Sequence, residues 1–322
     1  MVSIAVIGCG IAGTSLAYLL SRSNSNINVT LFDKGRGIGG RMATRYSNAY
    51  EHDHGAQFFT ARSDEFRQFL SLFDDAVASW DAVVTTLSPD AKPYKRPWFE
   101  PHYVGAPRMN SLCKKIAEDM DVHLGQRITR VTGVPGNWFL ESDDALSGPF
   151  DWVISTAPAP QTFELLDLQP VDVTYEPAFA LMVPLRQRPA FDAAVVKDSL
   201  IDWVALTGTK PGRTDTEYSN LVAHANPVWS LQVLEKPLDE VKHSMLEALM
   251  RLSFDCDEDA SMIHRWRYAR VSQPASEPFL LDPIGQLAAC GDWCVGRTVE
   301  DAFQSSLQLT NELQLHLLSK AC

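Results

Sequence analysis

The sequence has no two cysteines in C-x-x-C spacing. Its six thiols, Cys9, Cys113, Cys256, Cys290, Cys294 and Cys322, are irregularly placed. A disulfide scaffold and a structural zinc site are excluded on that ground, and a reducing, cytoplasmic compartment is the expected setting. No apolar run reaches the roughly 20 residues needed to cross a bilayer. No basic leader with a cleavage site precedes the first apolar stretch, so no targeting segment is expected. Patterns for a phosphate-binding P-loop, an H-E-x-x-H zinc site and a G-x-S-x-G nucleophile elbow are missing, which leaves phosphoryl transfer, zinc hydrolysis and serine esterase chemistry without support. Positive charge is also short: 28 Lys and Arg stand against 40 Asp and Glu, a formal net charge of −12. Nucleic acid and anionic membrane are therefore not expected partners.

Glycine, by contrast, is concentrated early. The run Ser3–Ile7 reads as a short strand. Ile11, Ala12, Leu16, Ala17, Leu19 and Leu20 then recur at helical spacing, and "INVTLF" (27–32) reads as a second strand. Gly8, Gly10 and Gly13 lie in the turn between the first strand and the helix, as Gly-x-Gly-x-x-Gly. In a βαβ unit the first glycine permits the tight turn, the second lets a diphosphate approach the backbone, and the third lets helix and strand pack closely. The helix start supplies free N–H groups and partial positive charge. Asp33 closes the second strand, 20 residues beyond Gly13, where a carboxylate can accept ribose hydroxyls.

A second glycine loop, Gly37-Ile38-Gly39-Gly40-Arg41, follows at once. Lys34, Arg36, Arg41 and Arg45 surround it with no acid between them, a local cationic patch suited to a specific anion. A dinucleotide held by one loop would need only the first motif, so the pair points to FAD, with Arg41 adding charge-assisted bonds to the diphosphate. Near the other end, "LAACGDWCVGRTVEDAF" reads as a strand, a turn at Gly291-Asp292 and a helix, with Thr298 and Asp301 spaced as a capping box. Asp292 is expected to meet ribityl hydroxyls, and the start of the last helix to face the flavin pyrimidine.

Other segments are read more coarsely. Helices are expected over 61–73, 106–120, 238–252 and 299–320. Short strands with Gly, Asp and Ser turns are expected over 121–154, and mixed strands with the one clear helix over 170–275. In "HRWRYA" a strand puts His264, Trp266 and Tyr268 on one face and Arg265 and Arg267 on the other. Trp293, Tyr268, Trp266 and His224 are the expected substrate-facing residues, with Phe58, Phe59, Trp203 and Trp229 as further aromatic candidates. His52 and His54 alternate on a strand without a third ligand at suitable spacing, so no metal site is expected.

Taken in order, "VIGCGIAG", "FDKGRGIGGRMAT", "DHGAQFF", "VGAPRMNSLCKKIA", "HRWRYA" and "CGDWCVGRTVEDAF" resemble the flavin-dependent amine-oxidase-like proteins, and more narrowly their bacterial renalase-type branch. The resemblance covers most of the chain and is thinnest over 160–260. It implies an α/β fold in which a Rossmann-like FAD-binding domain (1–60, 102–160 and 276–322) carries an inserted α+β substrate domain (61–101 and 161–275). It also implies non-covalent FAD, hydride transfer from a small-molecule substrate to flavin N5, and reoxidation by O2 to H2O2; the substrate expected from this branch is a dihydro-NAD(P) isomer. Gly8, Gly10, Gly13 and Asp33 match the dinucleotide fingerprint, and Gly39, Gly40 and Arg41 the second glycine element. Asp53, Gly55, Ala56 and Gln57 match the stretch passing the flavin ring, and Gly291, Asp292 and Val299 the closing segment. Ile11, Ala12, Lys34, Met42 and Phe58, adjoining these, complete the expected cofactor contacts. No lysine is recognisable beside the flavin, and neither Cys290 nor Cys294 fits a thioether attachment. The alternatives are an FAD amine oxidase, an FAD/NADPH monooxygenase and a non-catalytic flavin-binding protein.

Overall fold

Ile4, Ala5 and Val6 have no solvent exposure at all, as expected of a strand covered on both faces. In the computed structural model, which describes residues 1–23, 25–47, 50–213 and 219–319, their strand, Val2–Ile7, lies inside a six-stranded sheet. The strand order is Leu280–Asp282, Leu287–Ala289, Trp152–Ser155, Val2–Ile7, Ile27–Asp33, Asp121–Leu124. All neighbours are parallel except the antiparallel edge pair formed by the first two.

Alternation decides what covers each face. Ile4 and Val6 face the helices Ile11–Ser23 and Val299–Ser319, packing with Leu16, Leu20, Leu309 and Leu313. These two helices touch through small residues, with Ser15 Oγ 2.7 Å from Ser306 Oγ. Ala5 and Ile7 face a three-stranded antiparallel sheet, Ile128–Val134, Asn137–Ser142 and Leu146–Phe150, through Ile128, Leu140 and Phe150. The strands expected over 121–154 thus divide. The first and last join the parallel sheet, and the middle three form a cover over it.

A seven-stranded sheet forms the second layer system, in the order Met262–Gln273, Thr174–Leu185, Ser219–Ala225, Ile201–Leu206, Ala193–Val196, Val84–Ser88, Ala91–Lys95. Phe179, Leu181 and Val183 point to one face, which the helices Pro227–Gln232 and Leu238–Arg251 cover with Trp229, Val241, Met245 and Leu249. Ala178, Ala180 and Met182, at the alternate positions of the same strand, point to the opposite face. The strands of the six-stranded sheet come from 1–60, 102–160 and 276–322, and those of the seven-stranded sheet from 61–101 and 161–275.

Two expected helices are shorter than their apolar spacing suggested. The first spans Asp64–Ser71, because Ser63 caps it by accepting from Phe66 N, and Glu300 accepts from the N–H groups of Arg62 and Ser63. The other is confined to Ser111–Ile116. The long helix ends the described part of the chain at Ser319, so the expected end at 320, and Cys322, lie outside the described residues.

The capping box forms. Asp301 Oδ2 accepts from Arg297 N (2.8 Å), Thr298 N (2.8 Å) and Thr298 Oγ1 (2.7 Å), while Thr298 Oγ1 accepts from Asp301 N (3.1 Å). Asp301→Ala frees these donors at the start of a 21-residue helix. The expected result is a loss of about 1–2 kcal/mol, read from the urea midpoint of unfolding.

Candidate functional site

The glycine turn after Val2–Ile7 is a close backbone-to-backbone contact. Gly8 has φ +113°, and a Cβ there would meet Thr156 Oγ1 at 2.5 Å; a Cβ on Gly13 would lie 1.9 Å from the Gly8 carbonyl oxygen. Gly10 differs: a Cβ there would make ordinary contact with the second loop, 3.9 Å from Gly40 Cα and 4.0 Å from Gly39 O. The second loop presses onto the first. Gly39 (φ +134°) donates its N–H to Cys9 O at 2.9 Å, and a Cβ on Gly40 (φ +54°) would be 3.2 Å from Gly10 Cα. One amide expected to face the diphosphate, that of Gly39, is thus used to join the loops. Ile11 and Ala12 are buried at the helix start, which carries no acidic residue in its first turn to compete with an anion. Met42 is buried beneath the second loop.

Asp33 has a structural duty within the fold. Its Oδ2 accepts from Cys9 N at 2.7 Å and its Oδ1 from Gly35 N at 2.6 Å, so it staples both glycine turns. Each oxygen keeps a second lone pair for a hydroxyl donor. Lys34 is exposed and donates to Gln161 Oε1 at 3.2 Å.

Arg41 and Asp292, given separate tasks above, are paired fork to fork: NH1 to Oδ2 is 2.7 Å and NH2 to Oδ1 is 2.5 Å. The Asp292 side chain is 4 % exposed and that of Arg41 33 %. Asp292 opens a short helix, Asp292–Val295, and Gly291 donates its N–H to Ser305 Oγ on the last helix. Val299, half-buried, is the first residue of that helix. The carbonyl of Arg41 accepts from Ala56 N at 2.8 Å, and a Cβ on Gly55 would strike it at 1.9 Å. The second loop, the stretch 55–57 and the closing segment therefore meet at one place. Trp293 needs correcting. It is 1 % exposed, packs 6.1 Å from Phe163, and donates Nε1 to Ala157 O at 3.0 Å. A large apolar ring with a satisfied N–H belongs to the core beneath the site and is no substrate wall.

Beside this junction is a buried charge cluster that the sequence did not reveal. Asp53 Oδ2 receives Lys210 Nζ at 3.1 Å and Arg213 NH2 at 2.6 Å; its Oδ1 receives Thr44 Oγ1 at 2.7 Å and Met109 N at 3.2 Å. Lys210 also donates to Gln57 Oε1 at 3.2 Å, and Gln57 Nε2 donates to the carbonyls of Asp53 and Gly55. The side chains of Asp53 and Lys210 are wholly buried. Burial pushes the Asp53 carboxyl up, but Lys210 and Arg213 pull it down further, and it ends below the usual carboxylate range. Burial pushes Lys210 down to about 8 against the pull of Asp53. The only signal in the sequence was two basic residues in "TGTKPGR", within an acidic chain.

On the face of the seven-stranded sheet opposite its two helices, the His54 carbonyl accepts from Trp266 Nε1 at 3.0 Å, and His224 Nε2 lies 3.2 Å from it. The His264 ring is 4.3 Å from Trp266 and 4.9 Å from His54. Tyr268 packs 5.1 Å from Tyr175. Arg265 and Arg267 turn the other way, toward Glu235 and Lys236, as the strand alternation required. Trp229 also faces the other way, into the helix-covered cluster, and Phe59 is buried in the core below the site. Among the described residues, no group of three or more His, Cys, Asp or Glu side chains is arranged to hold a metal ion, and no helix is long and apolar enough to cross a membrane.

Residues 6–76 match the NAD(P)-binding Rossmann-like domain family. The chain is similar to renalase of Mus musculus, with 22 % identity over 301 residues, covering 86 % of this chain and 87 % of that protein. A solved structure from Exiguobacterium sp. 255-15, named as a protoporphyrinogen oxidase, superposes with a TM-score of 0.78 at 12 % identity, over 98 % of this chain and 99 % of that one. Putrescine oxidase bound to putrescine superposes with a TM-score of 0.68 at 11 % identity, over 97 % and 99 %. The fold is that of the amine-oxidase-like flavoproteins. In this two-domain fold the glycine turns belong to the Rossmann-like part, and the histidine and aromatic face to the second sheet.

Two outcomes follow for the amine-oxidase-like fold of this chain. Asp53→Asn leaves Lys210 and Arg213 buried without a counter-charge, and chemical denaturation is expected to show a loss of about 3–5 kcal/mol. Burial pushes His54 down to about 3 and His224 and His264 to about 4. An unfolded histidine titrates near ~6.5, so below that pH the unfolded chain binds protons that the folded chain refuses. Stability is expected to fall as pH drops from about 6.5 toward 4, and His224→Gln should flatten that slope in urea midpoints taken across the window.

Proposed function

We propose that this chain is an FAD-dependent oxidoreductase of the oxidase type. Its substrate is a small reduced molecule, a dihydro-NAD(P) isomer. The carrying observation is the interlocked pair of glycine turns at a helix start that has no acid in its first turn. Gly8, Gly10 and Gly13 would hold the diphosphate through backbone N–H groups and Asp33 the adenosine ribose. Arg41 and Asp292 would be shared with the diphosphate and the ribityl chain. Bound FAD supplies a ring that accepts a hydride at N5 and passes the electrons to O2, giving H2O2. Cys294 supports non-covalent binding: burial pushes its thiol up to about 12, and a protonated thiol is a poor nucleophile.

The chain's own part is orientation and exclusion of water. Trp266 and His224 meet at the His54 carbonyl, Tyr268 packs on Tyr175, and burial keeps His224 neutral at physiological pH. Hydride loss from a dihydropyridine gives an aromatic cation and requires no base, which suits a face lined by neutral rings. The similarity to renalase over most of both chains supports the same reading.

Anaerobic stopped-flow mixing tests it. The visible flavin band should bleach with dihydro isomers of NADH or NADPH, and admitting O2 should restore it with release of H2O2. Bleaching by putrescine or other amines alone would establish an amine oxidase instead. Reduction by ordinary NADPH, with turnover stimulated by a second substrate, would establish a monooxygenase. Gly13→Ala places a Cβ against the Gly8 carbonyl, and the purified variant is expected to carry about tenfold less flavin per protein.

A further inference from the structure

Three indole N–H groups of this protein have backbone carbonyl partners. Trp138 donates to Gly285 O, Trp266 to His54 O and Trp293 to Ala157 O, each at 3.0 Å. Trp80 and Trp203 are different: both Nε1 atoms are buried and have no hydrogen-bond partner among the described residues, and neither has His102 Nδ1. These three groups belong to one aromatic cluster. Phe58 lies 5.6 Å from Trp203, 4.5 Å from His102 and 5.1 Å from Trp98, and Trp98 lies 5.7 Å from Trp80. Trp80 itself is 3 % exposed.

The cluster adjoins the candidate site. Phe58 follows Gln57, whose side chain receives Lys210, and Lys210 Nζ lies 5.5 Å from the Trp80 ring. Trp203 is paired in register with His224 across neighbouring strands. Buried donors left without acceptors cost free energy, so each calls for an acceptor, such as a bound water or ligand, to complete its bonding.

We infer that the N–H groups of Trp80 and Trp203, with the His102 imidazole, form a subsite that receives a hydrogen-bond acceptor carried on the ring of a planar substrate, a carboxamide oxygen being the fitting group. The inference rests on the oxidoreductase reading for the existence of a ring substrate, and it adds which part of that ring is recognised and by which atoms. Aromatic faces supply stacking area, which selects planarity. The indole edges supply donors only, since an indole N–H cannot accept. Rings bearing an acceptor are therefore favoured over rings of the same size and charge without one.

Binding measurements separate this from hydride transfer. The flavin-loaded protein is titrated by calorimetry with the N-methylnicotinamide cation and, separately, the N-methylpyridinium cation, which lacks the carboxamide. The wild-type protein should bind the first about five- to tenfold more tightly. Trp80→Phe and Trp203→Phe keep the rings and remove the donors. Each should lower that ratio several-fold while leaving the N-methylpyridinium Kd within about twofold. Trp98→Phe, whose indole is not among the buried unpartnered donors, should keep the wild-type ratio. A ratio near one in the wild-type protein, no binding of either cation, or a ratio unchanged in both donor variants would overturn the inference. Equal weakening of both cations in all three variants would overturn it too, by assigning the rings to packing alone. None of these results bears on flavin bleaching, which decides the oxidoreductase reading by itself.

Discussion

The backbone contact between the two glycine turns governs the architecture of the site. Gly39 N–H reaches Cys9 O, Gly40 sits against Gly10, and Asp33 bonds the N–H groups of Cys9 and Gly35. Gly39 and Gly40 adopt positive φ, and a Cβ on Gly40 would lie 3.2 Å from Gly10 Cα, so side chains there would strain the contact. With the loops closed, Arg41 is delivered to Asp292 from the far end of the chain, and its carbonyl receives Ala56. Three segments distant in sequence therefore converge because two turns can touch.

Electrostatics divides the surroundings in two. Asp53, Lys210 and Arg213 bury one negative and two positive groups together, so the region beside Gln57 carries a net positive charge in a chain whose total is −12. Across the junction, His54, His224 and His264 are held neutral by burial, His54 and His264 also by the nearby Arg45, which lies 3.4 Å from His264 Nδ1; their other contacts are carbonyls and aromatic edges. A charged side and a neutral side face the same place. That asymmetry suits a ligand with a polar portion and a flat, weakly polar ring.

Where the sequence misled, packing is the reason. Trp293 follows Asp292 and so seemed placed beside the cofactor, but the short helix that begins at Asp292 swings its ring inward onto Phe163 and Ala157. Arg41 and Asp292 were each legible as polar contacts, yet nothing in their spacing shows that they would bond to one another. Lys210 lies in the part of the chain with the weakest motifs, and its carboxylate partner is 157 residues away.

Local physics was enough for the rest. The spacing of Gly8, Gly10, Gly13 and Asp33 determined a strand–turn–helix–strand unit, in which Gly8 needs a positive φ and Gly13 a close approach that only glycine allows. The Thr298–Asp301 spacing determined the start of the last helix, and alternation determined that His264 and Trp266 lie together, opposite Arg265 and Arg267. Tertiary structure alone decided which charges are buried together, which indoles keep a free N–H and which of two neighbouring residues faces the site. Those outcomes depend on contacts between segments far apart in the chain, and side-chain spacing along one segment carries no information about what the other segment brings.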